Sequence, residues 1–258
     1  MSERDFLPGL PVERIVACYA GAPGNEIESG KFSSPESSAA LAANAFGFFL
    51  ERLADLPPLP HCDDLAWPAP ALCLEGILRF PWSGGRHPCL DVVVETADAL
   101  IGIESKRYEP FRGKAASSFS DAYWRPVWGD GMAGYQRVRD GLRDARIAFS
   151  HLDAVQLVKH ALGLRSAVHR DGPRLRKKAV LFYLFAEPAR WPDGRAVSAD
   201  AIAAHRAEVA RFAAAVSGSE ISFRWASYVE LLDAWRLSGN EGVRKHADAV
   251  EQRFLYCS

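Results

Sequence analysis

Asp91, Glu104 and Lys106 are the residues best placed by type and spacing to do chemistry. An apolar, β-branched run follows the first (Val92 to Val94), and another precedes the other two (Leu100 to Ile103). Such runs predict two buried strands, with Thr96-Ala97-Asp98-Ala99 as the turn between them. A turn of two or four residues puts Asp91 directly across from Glu104. Side chains two apart on a strand share a face, so Lys106 joins them. Two facing carboxylates repel each other unless a positive charge lies between them. A divalent cation such as Mg²⁺ or Mn²⁺ on Asp91 and Glu104 would remove that repulsion, and Lys106 would then serve a water or a phosphate beside it. The plainer reading is an edge hairpin carrying solvated charge pairs. The two-sided apolar character of both runs argues against it, because edge strands are seldom buried on both faces.

Positioning these residues takes a sheet beneath them and helices around it. Residues 1–32 read as irregular, with Pro8, Pro11, Pro23 and several glycines. Ser33-Ser34-Pro35-Glu36 reads as a helix start: a serine cap, a proline in the first turn and an acid at the positive end. That helix is expected to reach about Leu53, and its paired alanines (39–40, 42–43) suit close packing on a sheet. A proline-rich loop over 55–72 leads to a strand at Leu74 to Phe80, then a glycine turn at Ser83-Gly84-Gly85, then the two strands of the hairpin. An aromatic-rich loop, Tyr108 to Trp128, precedes helices over 132–146 and 151–164. A turn at Asp171-Gly172-Pro173 precedes the apolar strand 178–185, a helix over 198–216, a short strand over 221–225, and helices over 228–235 and 242–254. Strands and helices interleave, which predicts an α/β fold with a mixed central sheet flanked by helices. A single domain is expected over 1–258, with its core at about 33–225 and a C-terminal helical extension at about 226–258.

The composition is that of an ordinary globular protein, 48% hydrophobic and 24% charged. No apolar run approaches the roughly 20 residues needed to cross a bilayer, so no membrane partner is expected. The Met-Ser-Glu-Arg-Asp start lacks a signal-peptide pattern, and five scattered cysteines without a Cys-x-x-Cys suit reduced thiols. A cytoplasmic location follows as the expectation. His61, Cys62, His87 and Cys89 match no zinc-ligand spacing. Net charge is only −1, yet it is unevenly distributed. Residues 1–75 hold eleven acids and four Lys/Arg, while residues 136–178 hold eleven Lys/Arg and four acids. A basic segment beside an acidic cation site is what a phosphodiester needs, and Arg174, Arg176, Lys177 and Lys178 are the candidate nucleic-acid contacts. Solvated arginine faces on two helices are the competing explanation. The aromatics from Phe111 to Trp128, interleaved with Arg112, Lys114 and Arg125, read chiefly as a minor core under a long loop, with base stacking as the alternative.

An Asp, twelve residues, then Glu-x-Lys on adjoining strands resembles the PD-(D/E)xK nuclease superfamily. The resemblance is nearest to bacterial restriction-endonuclease-like proteins, whose hairpin continues into a Tyr-Glu-Pro-Phe segment like Tyr108 to Phe111 here. The sequence departs from the motif's first half, with Pro88-Cys89-Leu90-Asp91 in place of Pro-Asp. The resemblance implies a restriction-endonuclease-like αβββαβ core and a metal-dependent DNA endonuclease. Asp91, Glu104 and Lys106 would be catalytic, and the Ser105 backbone carbonyl would be a further ligand beside the two carboxylates. It also makes Glu36 an auxiliary candidate, for a helix-borne carboxylate at the metal site, and Gln156 with Lys159 another, for the helix after Glu-x-Lys. Each has a structural alternative: a helix-dipole partner for Glu36, a polar helix face for the others. DNA is the expected partner, with a homodimer where two strands are cut. A catalytically silent binding module on the same fold, or a hydrolase acting on RNA or nucleotides, are the rival functions.

Overall fold

Five strands form one mixed sheet in the order β1-β2-β3-β4-β5. The computed structural model describes residues 5–82, 87–113, 118–170 and 172–256; the expected turn at 83–85, Lys114, Asp171 and Cys257 lie outside them. Along the chain run α1 (Val12–Ala20), α2 (Ser38–Gly47), β1 (Ala71–Ile77), β2 (Cys89–Glu95), β3 (Ala99–Lys106), α3 (Ala133–Arg143), α4 (Ala154–Val168), β4 (Lys178–Phe185), α5 (Ala199–Val216), β5 (Ile221–Ser227), α6 (Tyr228–Arg236) and α7 (Glu241–Phe254). β1, β2 and β3 pair antiparallel, while β3–β4 and β4–β5 pair parallel. The α/β class and the mixed sheet with flanking helices are therefore as expected.

Alternation along the strands sorts the core into two layers. Ile101, Ile103, Phe182 and Leu184 pack with Leu41 and Phe46 of α2, Trp235 of α6 and Val250 of α7. Leu100, Leu181 and Tyr183 pack on the other face with Val138 of α3, Leu164 of α4 and Phe212 of α5. Glu104, in step with Leu100 and Gly102, belongs to this second face. Gly102 is required there: a Cβ would lie 2.3 Å from Leu90 Cδ1 and 3.1 Å from Leu164 Cδ2. A Cβ on Gly163 would likewise lie 2.9 Å from Pro88 Cγ. Two glycines thus let α4 approach the hairpin closely enough for its side chains to reach the strand ends.

Three expectations need correction. Residues 1–32 are not wholly irregular, since Ile15 and Tyr19 of α1 are buried against the core. α2 starts later than Ser33-Ser34-Pro35 suggested, because Ser37 caps it by accepting the Ala40 amide at 3.0 Å. Glu36 consequently sits in a turn before the helix. The C-terminal helices are not an extension of the core but part of it: Tyr228, Leu231, Trp235, Val243 and Phe254 all lie in the α2-side cluster. Among the described residues no helix is long and apolar enough to cross a membrane.

Candidate active site

Register fixes where the carboxylates fall. β2 pairs β3 through Val92–Ile103 and Val93–Gly102, and continuing one step sets Asp91 against Glu104. The ladder itself stops at Val92. Beyond it the Asp91 carboxylate takes the place of a backbone acceptor, receiving the Ser105 N–H at Oδ2 across 2.6 Å. The N–H and C=O of one strand residue point to the same side, so the Ser105 carbonyl also faces β2. Glu75 sits across from Asp91 on the other flank, between the pairs Leu74–Val92 and Gly76–Leu90. Its φ of +53° is rare for a residue with a side chain and marks backbone held in a costly conformation. Three carboxylates on three neighbouring strands thus form one row.

The row lies in a cleft of about 1130 Å³. Glu104 is only 1% exposed. Lys106 Nζ donates to its Oε1, and His160 Nε2 of α4 lies 2.8 Å from its Oε2. That second contact lacks hydrogen-bond alignment, which leaves Glu104 Oε2 and both His160 ring nitrogens buried without a hydrogen-bond partner. Burial pushes the Glu104 carboxyl up, but Lys106 and His160 outweigh it and hold it down at about 2. Asp91 goes the other way: burial first, then repulsion from Glu104, raises it well above the carboxylate range despite Lys106 and the Ser105 amide. Glu75 is pushed up to about 7, chiefly by burial, while a hydrogen bond from the Cys89 thiol pulls it back only in part. Burial would lower Lys106, yet Glu104, Glu109 and Asp91 overcome it and keep the ammonium form. Glu109, from the Tyr108–Phe111 segment, also accepts the Arg107 amide at 2.8 Å and the Ser38 hydroxyl, joining β3 to the start of α2.

The auxiliary candidates divide by what they touch. Glu36, Gln156 and Lys159 all line the cleft. Glu36 is paired with Arg112, another lining residue. Asp153 caps α4 by accepting the Gln156 amide at 3.0 Å, which sets the first turn of that helix at the cleft wall. Gln136 on α3, the other glutamine on a helix after Glu-x-Lys, donates to the Gly129 carbonyl at 3.0 Å and does not line the cleft. The Phe111–Trp128 aromatics behave as a core: Tyr123 and Trp128 are buried with Phe80 and Met132.

Of the basic segment, Lys159 reaches the cleft but the cations at 174–178 are not brought to it. Arg174 pairs with Glu95 at 2.7 Å, Lys177 donates to the Thr96 carbonyl at 2.7 Å, and Lys178 to Asp98 at 2.9 Å. Lys178 pairs with Ala99 at the start of β3, whereas Glu104 and Lys106 pair with Tyr183 and Phe185 at its end. At about 3.3 Å per residue the two groups lie roughly 20 Å apart along the sheet. Arg176 is exposed, at a positive φ of +63° in the same segment. From the sequence Glu75 is only a weaker candidate, a further carboxylate on or near the strands, and His160 is a neighbour of Lys159 on a polar helix face; the register is the signal for the first, and nothing local shows that the second reaches Glu104.

Asp91, Glu104 and the Ser105 carbonyl offer hard oxygen donors of the kind Mg²⁺ and Mn²⁺ take. Among the described residues no group of three or more His, Cys, Asp or Glu side chains is drawn together as a metal cluster. Seven carboxylates and five Lys and Arg side chains line the cleft. Comparison with protein-family models, with curated proteins and with solved structures gives no match.

Proposed function

We propose that this chain is a metal-dependent nuclease with a site of the PD-(D/E)xK type on a restriction-endonuclease-like core, hydrolysing phosphodiester bonds in DNA. The observation that carries the reading is the register: Asp91, Glu104 and Lys106 reach the floor of one cleft from adjoining strands. The order helix, three antiparallel strands, helices and a parallel crossover strand supports the core assignment. The gathering of Asp91, Glu104 and the Ser105 carbonyl at one cleft supports a bound cation.

Asp91, Glu104 and the Ser105 carbonyl would hold the ion. When bound, Mg²⁺ or Mn²⁺ supplies Lewis-acid stabilisation of the charge that builds on the phosphoryl group and makes water a better nucleophile. Lys106, beside these carboxylates, would orient the attacking water and donate to it or to a phosphate oxygen. Glu104 holds the Lys106 ammonium by a hydrogen bond, and the Glu109 charge adds to its stabilisation. Gln156, one turn before His160 on α4, is placed to orient a water or phosphate at the cleft wall.

The test is cleavage of supercoiled plasmid and single-stranded DNA with Mg²⁺ or Mn²⁺, wild type beside Lys106→Ala and Glu104→Gln, with an EDTA control. Cleavage that requires metal and disappears in both variants is expected. Undiminished cleavage by either variant, or none by the wild type on any DNA, would overturn the reading.

A further inference from the structure

The cations of the cleft differ from those elsewhere in the chain. Lys31 in the loop before α2, Arg79 after β1 and Lys159 on α4 all line it. None of the three enters an ion pair among the described residues, whereas the Arg174–Lys178 segment is largely engaged with Glu95, Thr96 and Asp98. Lys159 Nζ instead lies 5.7 Å from the Tyr123 ring centroid, on the same wall. Burial lowers its pKa, with Asp153 opposing. One phosphate above Asp91 and Glu104 would engage the floor. Three unpaired cations on separate walls then remain for phosphates on either side, which a mononucleotide does not possess.

The depth of the floor limits the form of that polymer. A duplex carries its phosphates on the outside of a stiff cylinder with grooves about 12 and 6 Å wide. The cleft, about 1130 Å³, is close to the size of pockets that take small ligands, about 300–1,000 Å³. Glu104 at its floor is 1% exposed, so a phosphate seated on the rim does not reach it. A single strand, whose bases can turn away from the backbone, can lower one phosphodiester between the walls.

Resting on the nuclease reading, we infer that the substrate is single-stranded DNA, drawn backbone-first into the cleft with its flanking phosphates on Lys31, Arg79 and Lys159. The test uses a labelled oligonucleotide, alone and annealed to its complement, in two arms. In the cleavage arm, with Mn²⁺, the single strand is cut about tenfold faster or more, and Glu104→Gln cuts neither. In the binding arm, Lys106→Ala binds the single strand about tenfold tighter, with a salt slope near −2 from about three phosphate contacts at roughly 0.7 each. Lys159→Ala and Arg79→Ala each flatten that slope. A duplex cut as fast as the single strand overturns this inference and leaves the nuclease reading standing. Tighter single-strand binding with no cleavage in any metal overturns the nuclease reading and with it the claim of a substrate, and leaves only a single-strand binding cleft. Equal binding of both forms with no cleavage overturns both.

Discussion

The two ends of the β2–β3 hairpin are both crowded with charge, and they differ in how that charge is balanced. At the turn end each acid has a partner: Glu95 has Arg174, and Asp98 has Lys178, the Thr96 hydroxyl and the Ala66 amide. These contacts are partly solvated and hold loop to strand. At the other end Asp91 and Glu104 share Lys106, Glu75 has the Cys89 thiol, and all of them line one cleft. Burial and mutual repulsion raise two of the three carboxyls. Paired charge at a sheet end stitches the fold together. Like charge gathered and buried at a sheet end costs stability, and that cost is what makes this end the candidate site.

The largest expected difference between the two ends is catalytic. Lys106→Ala should lower DNA cleavage about 10³-fold, the order found when a positioned donor to a transition-state charge is removed. Arg174→Ala and Lys178→Ala should leave it within about twofold, since both residues lie roughly 20 Å away along the sheet. Single-turnover rates with Mn²⁺ would measure this. A large loss in the turn-end variants would mean that the basic segment reaches substrate after all.

Next in size is an inverted response to pH. Glu75 has its folded pKa raised from 4.5 to about 7, so its contribution to stability is full below the ordinary value and is lost as pH rises through about 7. Asp98, lowered to about 2 by Lys178 and the Ala66 amide, titrates outside that window. In EDTA, the advantage of Glu75→Gln over wild type should grow by about 2–3 kcal/mol between about pH 5 and pH 8. Urea midpoints at both values would show it. His246, pulled down to about 4 by burial, loses stability in the opposite sense as pH falls, but it is common to both proteins and cancels. An advantage that stays constant with pH would remove Glu75 from the buried carboxylate row.

A cation should then act on one end only. At about 100 times its dissociation constant Mn²⁺ should stabilise the wild type by about 2.7 kcal/mol. Glu104→Gln should gain almost nothing, while Arg174→Ala should gain as much as wild type. Thermal unfolding with and without Mn²⁺ distinguishes these; equal gains in all three proteins would place the ion elsewhere.

The hairpin was legible because it depends on local pattern alone. Two β-branched runs and a short turn dictate the register, and the register dictates which residues share the cleft floor. α1 was hidden for a related reason: its stripe of Val12, Ile15, Val16 and Tyr19 is only nine residues long and lies among prolines and glycines. Four serines between 33 and 38 competed for the cap of α2, and only packing chose Ser37. His160 and the basic segment were beyond local reading. Nothing in Lys159-His160 shows that α4 crosses β3 closely; Gly102 and Gly163 set that distance, and they do so only once the sheet exists. A tally of charge along the chain likewise omits the partners that Arg174 and Lys178 find on the far end of the hairpin.

The smallest effect tests the turn end by itself. Asp98 accepts the Ala66 amide at 2.8 Å and the Thr96 hydroxyl at 2.9 Å, and meets Lys178 at 2.9 Å. Its side chain is about one-third exposed, so the ion pair adds little and the hydrogen bonds matter more. Asp98→Ala should therefore destabilise the protein by about 1 kcal/mol, the usual worth of such bonds. Asp98→Asn should recover about half, since its amide oxygen can still accept from the Ala66 N–H. Cleavage should be unchanged in both, because no atom of the cleft floor depends on this turn. Full recovery by Asn would mean that the pairing with Lys178 contributes nothing. A loss of cleavage would mean that the turn transmits strain along the hairpin to Asp91 and Glu104, and the two ends would then be one device rather than two.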